Sequence, residues 1–239
     1  MSYPRLPARP ALFLDFDGTL VDLAPTPDAV VVPSGLAHLL QRLADRLDGA
    51  LAVVSGRPVA EIDAFLAPTE LRAGGLHGLE WRERPGVAVM QAPAPISLDV
   101  FRARLATSDL LRDGLLVEDK KVAIAVHYRA RPDLGSLVRE TITGWLEGVD
   151  DLAVLDGKMV VEVKPRAVSK GTVVQRFLAM PAFEGRVPVF VGDDVTDEDG
   201  MRAAARAGGF GVKVGEGPSG ASYRLADVPA VRTWLASLE

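Results

Sequence analysis

The chain has 239 residues, 48% of them hydrophobic, enough to bury the core of one large domain or two small ones. Its 27 basic and 32 acidic residues leave a formal charge of −5 without long single-sign runs, which argues against a nucleic-acid partner. No cysteine is present, which excludes disulfides and thiolate metal sites and fits a reducing cytoplasm, while the lack of a signal-like start or of any apolar run near the roughly 18 residues of a membrane span leaves no membrane expected.

Ala11–Leu14 is a short, wholly apolar run ending in Asp15-Phe16-Asp17-Gly18-Thr19, and it reads as a strand buried on both faces. Leu36, Leu39, Leu40, Leu43 and Leu47 then recur at helical spacing behind Ser34, the expected N-cap. Leu51–Val54 is a second buried strand. It runs into Ser55-Gly56-Arg57-Pro58, with Pro58 suited to the first turn of a helix whose apolar face is Val59, Ile62, Phe65 and Leu66. From 83 to 164 the texture changes: helical stretches over 99–111 and 134–146 alternate with strand-like runs over 115–129 and 152–164, and Asp156-Gly157 marks a hairpin turn. After Pro165 the first pattern resumes. A Ser169-capped helix carries Val173, Val174, Phe177 and Leu178, followed by a strand over 187–191, a helix opening at Thr196, a strand over 210–214 and a last helix ending in Trp234 and Leu238. This alternation predicts a Rossmann-like, doubly wound parallel α/β core formed by 1–82 and 165–239, interrupted by an inserted α+β cap over 83–164.

Four segments carry chemistry. Asp15 and Asp17 stand at the end of a central strand, pointing to one side, where open α/β sheets bind ligands. Two like charges there call for a hard cation such as Mg²⁺, and Gly18 and Thr19 would offer backbone N–H groups to an anion. Alone, such a segment is an ordinary Asp-Gly turn. A second strand ends in Gly192-Asp193-Asp194 and continues through Thr196, Asp197, Glu198 and Asp199, where Thr196 and Asp199 have the spacing of a capping box. Asp193 is the expected third metal residue, with Asp194 and Asp197 behind it, and helix capping is reason enough for Glu198 and Asp199. Ser55 and Gly56 begin a helix whose free N–H groups suit a phosphate oxygen, and Lys170 opens another where it would neutralise a phosphoryl group.

In order and context these segments resemble the four motifs of the haloacid dehalogenase superfamily: DxDGT, Ser or Thr, Lys, and GDD. The resemblance implies that Asp15 attacks phosphorus to form an aspartyl-phosphate, that Asp17 is general acid and base, and that Mg²⁺ is held by the side chains of Asp15 and Asp193 and the carbonyl of Asp17. Ser55 and Lys170 would hold the phosphate. Further segments narrow the family: Val117-Glu-Asp-Lys120, Ala125-Val-His-Tyr-Arg129, Val161-Glu-Val-Lys-Pro165, Gly75-Leu-His-Gly78 and Gly192–Asp199 resemble trehalose-6-phosphate phosphatases over nearly the whole chain. That match assigns Glu118, Lys120 and Glu162 to the distal glucose of a small-molecule sugar phosphate, with Arg57 also on the substrate. The one protein partner to be tested for is a trehalose-phosphate synthase. Sucrose phosphate, mannosylglycerate phosphate and hexose phosphates are the rival substrates, and the rivals outside enzymes are a non-catalytic sugar-phosphate sensor and a partner-binding domain beside a trehalose-phosphate synthase. Strand parity sets His127 and Arg129 on the face opposite Glu118, and their roles and that of His77 stay open. One departure is expected to alter packing: where the family usually has a bulky pair such as Met-Phe, this chain has Gly200-Met201.

Overall fold

The computed structural model describes residues 3–24, 26, 29–157 and 159–239, and it divides into two compact units, Met1–Met90 with Ser169–Glu239, and Gln91–Val168. The first stretch of chain carries β1 (Pro10–Leu14), α1 (Leu36–Arg46), β2 (Leu51–Val54), α2 (Val59–Leu66), β3 (Arg72–Gly75), β4 (Glu80–Arg82) and, on the division, β5 (Met90–Gln91). The second unit holds α3 (Ile96–Ala106), β6 (Leu116–Asp119), β7 (Ile124–His127), α4 (Gly135–Trp145), β8 (Leu152–Gly157) and β9 (Val160–Pro165). The chain then adds α5 (Lys170–Leu178), β10 (Val187–Gly192), α6 (Asp197–Arg206), β11 (Phe210–Val214), β12 (Tyr223–Leu225) and α7 (Val228–Ala236) to the first unit. Against the expected breaks at 82/83 and 164/165, the division falls at 90/91 and 168/169. Residues 83–90 lead from β4 to β5 of the same sheet, and β9 keeps pairing through Pro165, which lies opposite Leu152.

The large sheet runs β12-β11-β10-β1-β2-β3-β4-β5, parallel from β12 to β3 and antiparallel between β3 and β4. Every residue of β1 and β2 is buried, which is why their sequences are unbroken apolar runs rather than alternations. The core beneath them includes the Phe13, Phe177 and Phe183 rings, with Phe13 and Phe183 stacked at 5.5 Å. The second unit has its own four-stranded antiparallel sheet, β6-β7-β9-β8. Ile124, Val126, Val161 and Val163 of that sheet share a separate apolar cluster with Phe101 of α3 and Val138 and Ile142 of α4.

Several local expectations need correction. α1 starts behind Gly35 in a left-handed conformation (φ 84°), without a side-chain cap from Ser34. Thr196 makes no cap bond either, because it already has helical dihedrals (φ −65°, ψ −22°). A capping box does form one helix earlier: the Ser169 hydroxyl accepts the Gly171 N–H, while the Thr172 hydroxyl accepts the Ser169 N–H at 3.1 Å. Gly157 pairs with Val160, so Asp156-Gly157 ends β8 rather than forming the turn.

Gly200-Met201 does pack in its own way. Gly200 is buried on α6 against the edge of the Phe190 ring of β10, and a Cβ there would fall onto that ring. The bulk is supplied by the strand, and the helix gives it room. Helix propensity alone would make Gly200→Ala stabilising by roughly 1 kcal/mol. The packing reverses that sign: we expect a loss of about 1–3 kcal/mol in urea unfolding. Combining it with Phe190→Leu should cost less than the sum of the two single changes, and an additive pair would count against the contact.

Candidate active site

Strand order reverses at the β1–β10 pair: successive strands after β1 step to one side of it, while those from β10 onward step to the other. Such a switch point opens a crevice at the carboxyl ends of the two strands. Asp15 leaves β1 there, only 3% exposed, its N–H bonded to the Val191 carbonyl of β10 at 2.9 Å. Asp193 follows β10 directly.

Lys170 is the first residue of α5 and is buried, its ammonium 2.6 Å from Asp15 Oδ1 and 2.6 Å from Asp197 Oδ1. A cation in the first turn of a helix opposes the helix dipole, and burying it adds a desolvation cost; two carboxylates in contact offset both. Burial pulls the Lys170 ammonium toward losing its proton, but the charges of Asp15 and Asp197 outweigh it and hold it above lysine's ordinary range. Burial, then the Asp197 charge, push Asp15 well above the usual carboxylate range against the pull of Lys170. Asp193 is pushed up to about 6, by burial first and then by Asp197 and Asp194.

Carboxylate oxygens of Asp15, Asp193 and Asp197 all lie within 4.8 Å of one another, a group that could hold a metal ion. Asp197 has both oxygens engaged, by Lys170 and by the Asp194 N–H at 2.9 Å. By contrast, Asp193 Oδ1 and Thr19 Oγ1 are buried without a hydrogen-bond partner among the described residues. A surplus of negative charge and an orphaned carboxylate oxygen are what a hard, oxygen-ligated cation would satisfy, so these residues fit one. The Asp17 side chain stands outside this group. Arg57 grips it with Nε 2.6 Å from Oδ2 and Nη2 2.9 Å from Oδ1. Only its carbonyl remains as the expected ligand.

Gly18 departs from its expected part. Its N–H is taken by the Val21 carbonyl at 2.8 Å, and that of Thr19 turns back toward the Phe16 carbonyl at 3.4 Å, because the loop closes on itself. Gly18 matters sterically: it sits at φ 77°, and a Cβ would collide with the Asp193 carboxylate. Ser55 is buried at the end of β2, its hydroxyl accepting the Arg57 N–H at 3.1 Å. Gly56 lies under the His77 imidazole, and His77 and Leu76 both adopt positive φ, 56° and 49°. The His77 N–H and the Leu76 N–H bond the carbonyls of Ser55 and Arg57, so this strained turn braces the serine loop. Asp194 is exposed and accepts the Val195 N–H at 2.6 Å, outside the carboxylate group. Glu198 instead holds the 219–220 loop through the Ser219 hydroxyl and the Gly220 N–H.

Within the second unit, Lys120 Nζ lies 2.7 Å from Glu162 Oε2 and 4.0 Å from Glu118 Oε2. The buried Glu162 keeps Oε1 without a hydrogen-bond partner among the described residues. His127 Nε2 lies 3.1 Å from Glu118 Oε2, which corrects the parity expectation. In the β6–β7 register Glu118 faces Ala125 and Leu116 faces His127. Cross-strand partners point the same way, so even positions of β6 share a face with odd positions of β7. Arg129 lies beyond the end of β7.

Sequence reasoning missed Lys213. It is buried on β11 opposite Gly192, and its ammonium donates to the Asp193 carbonyl and, at 2.9 Å, to the Val214 carbonyl. A lone lysine inside the apolar run Phe210–Val214 was the available signal. It also missed that Asp197 is an ion-pair partner of Lys170, for which sequence separation leaves no trace.

A family model described as trehalose-phosphatase matches residues 13–229. Trehalose-6-phosphate phosphatase from Escherichia coli K12 is 42% identical over 237 residues, covering 97% of this chain and 87% of that protein. Among solved structures, the C-terminal domain of C. albicans trehalose-6-phosphate phosphatase aligns with TM-score 0.77 at 24% identity, over 96% of this chain and 92% of that one. A haloacid dehalogenase-like hydrolase from B. subtilis aligns with TM-score 0.70 at 14% identity, over 97% and 100%. The two structures speak to the fold, and the family match and the sequence identity go further: the chain belongs to the trehalose-phosphatase family.

Proposed function

We propose that this protein is a phosphoric monoester hydrolase that converts trehalose 6-phosphate to trehalose and phosphate, with Asp15 as nucleophile. The observation that carries the reading is the buried Lys170 ammonium bonded to Asp15 at the switch point of the sheet, in a chain of this family. Lys170 would orient the attacking carboxylate and neutralise phosphoryl charge, with Ser55 on another phosphoryl oxygen. An Asp15 oxygen forms the bond to phosphorus while the bond from phosphorus to the sugar oxygen breaks. The electron pair stays on the sugar oxygen, which takes a proton from Asp17. Asp17 then removes a proton from water as that water attacks phosphorus; the bond from phosphorus to the Asp15 oxygen breaks, its electron pair returns to the Asp15 carboxylate, and phosphate leaves. A divalent cation, which we take to be Mg²⁺, would be held by Asp15, Asp193 and the Asp17 carbonyl and would share charge with the phosphoryl oxygens. To the second unit we assign recognition of the distal glucose through Glu118, Lys120 and Glu162. The unpartnered Glu162 Oε1 supports this, since a sugar hydroxyl is the donor it lacks.

Asp15→Asn should abolish phosphate release while leaving the melting midpoint close to that of the wild type; retained turnover would exclude the covalent route. Assayed side by side with Mg²⁺, trehalose 6-phosphate should exceed sucrose 6-phosphate and glucose 6-phosphate in kcat/KM, and equal activity on either rival would sink the substrate assignment. Glu118→Ala should shrink that preference by about tenfold, the worth of one or two hydrogen bonds to a sugar.

Charge balance supplies a stability test. With its carboxyl raised to about 6, Asp193 binds its proton more tightly folded than unfolded. Its contribution to stability is therefore greatest at low pH and is lost as pH rises from the ordinary carboxylate range through about 6. In EDTA, Asp193→Asn should match the wild type near pH 4. Above pH 6 it should melt higher by roughly 2–4 °C, what about 1 kcal/mol is worth at this chain length. Mg²⁺ should raise the wild-type midpoint and not that of the variant.

A further inference from the structure

The sequence assigns Arg57 to the substrate, but its guanidinium is turned to another group. We infer that Arg57 is a positioning residue that acts through Asp17, fixing the carboxylate that exchanges protons with the sugar oxygen, rather than a clamp on the phosphate. The inference rests on the acid–base role proposed for Asp17. Its ground is a closed bracket of side chains around the Asp15–Asp17 loop. Both Asp17 oxygens are bonded to the Arg57 fork, at 2.6 and 2.9 Å. The remaining Nη1 reaches Glu61 Oε2 at 3.0 Å on α2. The guanidinium lies over the Phe65 ring at 4.9 Å, and Phe65 stacks on Phe16 with ring centroids 5.6 Å apart. Phe16 is fully buried between Asp15 and Asp17.

Each contact restricts something that the loop leaves loose. Beyond β1 the segment leaves the sheet ladder, with Asp17 in an isolated bridge to Val21, and the Asp17 side chain is 28% exposed. Two side-chain torsions are thus poorly held by packing, whereas the chemistry tolerates little misplacement: about 1 Å can cost roughly 100-fold. A planar fork meeting a carboxylate edge-on fixes both torsions at once, which a point charge such as an ammonium cannot do. Stacking on Phe65 and the pairing with Glu61 hold the fork itself. The Arg57 side chain is only 11% exposed, so its pairing with Asp17 is weakly screened.

Leaving-group dependence separates the two roles. A sugar oxygen needs a proton as its bond to phosphorus breaks, whereas p-nitrophenolate departs as the anion. Because kcat/KM reports events through the first irreversible step, it should fall about 100-fold for Arg57→Ala on trehalose 6-phosphate, within the range of general acid catalysis, and less than about threefold on p-nitrophenyl phosphate. Inhibition by inorganic phosphate should be unchanged. Asp17→Asn should show the same pattern, and the double variant should be no worse than Asp17→Asn alone on trehalose 6-phosphate. Arg57→Lys, which keeps the charge without the fork, should fall between. If Arg57→Ala melts below the assay temperature, the ratio between the two esters is read on Arg57→Lys instead. Equal losses on both esters with weakened phosphate inhibition would return Arg57 to the substrate phosphate, and additive losses in the double variant would show that it acts apart from Asp17. The wild type serves as the control for function. Activity on p-nitrophenyl phosphate that is absent in Asp15→Asn, with none on trehalose 6-phosphate, would remove the substrate and leave the same comparison to be made on whichever sugar phosphate is turned over.

Discussion

The first unit is organised around one buried cation. Lys170 lies between Asp15 and Asp197, 2.6 Å from each, so the end of β1, the start of α5 and the start of α6 must converge on a single ammonium. A buried ion pair of this kind is a poor source of net stability, since desolvation consumes most of the Coulomb gain. Its effect is on register. Were any of the three elements to slip, a charge would be left buried and unpaired, at a cost of several kcal/mol. The strands that lead to this point are continuous apolar runs for the same reason: with both faces covered, only their ends can carry polar groups.

That contrast explains how much could be read from the sequence. β1, β2 and β10 were legible because a buried strand is an apolar run that stops abruptly, at Asp15, Ser55 and Asp193, and β11 was legible as such a run despite the single Lys213 within it. Lys213 apart, the residues gathered at the site were legible for the same reason, each marking a strand end or a helix start. What could not be read were the partners. Arg57 and Asp17 are 40 residues apart, and nothing in either neighbourhood shows that adjacent strands bring them together. Register was equally hidden. The parity of His127 relative to Glu118 is fixed by which residue of β7 stands opposite which of β6, a property of the pair and not of either strand.

Helix starts failed differently. Ser34 and Thr196 are good capping residues by type, but a side-chain cap needs extended dihedrals at that residue, and the chain instead turns left-handed at Gly35 and is already helical at Thr196. Ser169 succeeded because it is extended (φ −151°, ψ 173°), with Thr172 in place to reciprocate. Backbone donors were misjudged on the same grounds. The N–H of Gly18 was expected to meet an anion, yet a loop that must carry Asp17 back toward Arg57 closes on Val21 and consumes it.

The site is also where the fold is least at ease with itself. Asp15 and Asp193 both resist ionising, an oxygen of Asp193 and the hydroxyl of Thr19 find no hydrogen-bond partner among the described residues, and Leu76 and His77 hold strained backbone beside the serine loop. Each would be easy to relieve by substitution, which is the usual relation between a binding site and stability. The relief supplied by a ligand is of another kind. On the proposed function, a cation and a phosphate group would together bring the positive charge and the acceptor and donor atoms these residues lack, so stability forgone at the site would return as affinity. Gly18 shows how local the compromise is: its missing side chain leaves the space that the Asp193 carboxylate fills, and a methyl group there would displace that carboxylate, one oxygen of which is without a hydrogen-bond partner among the described residues.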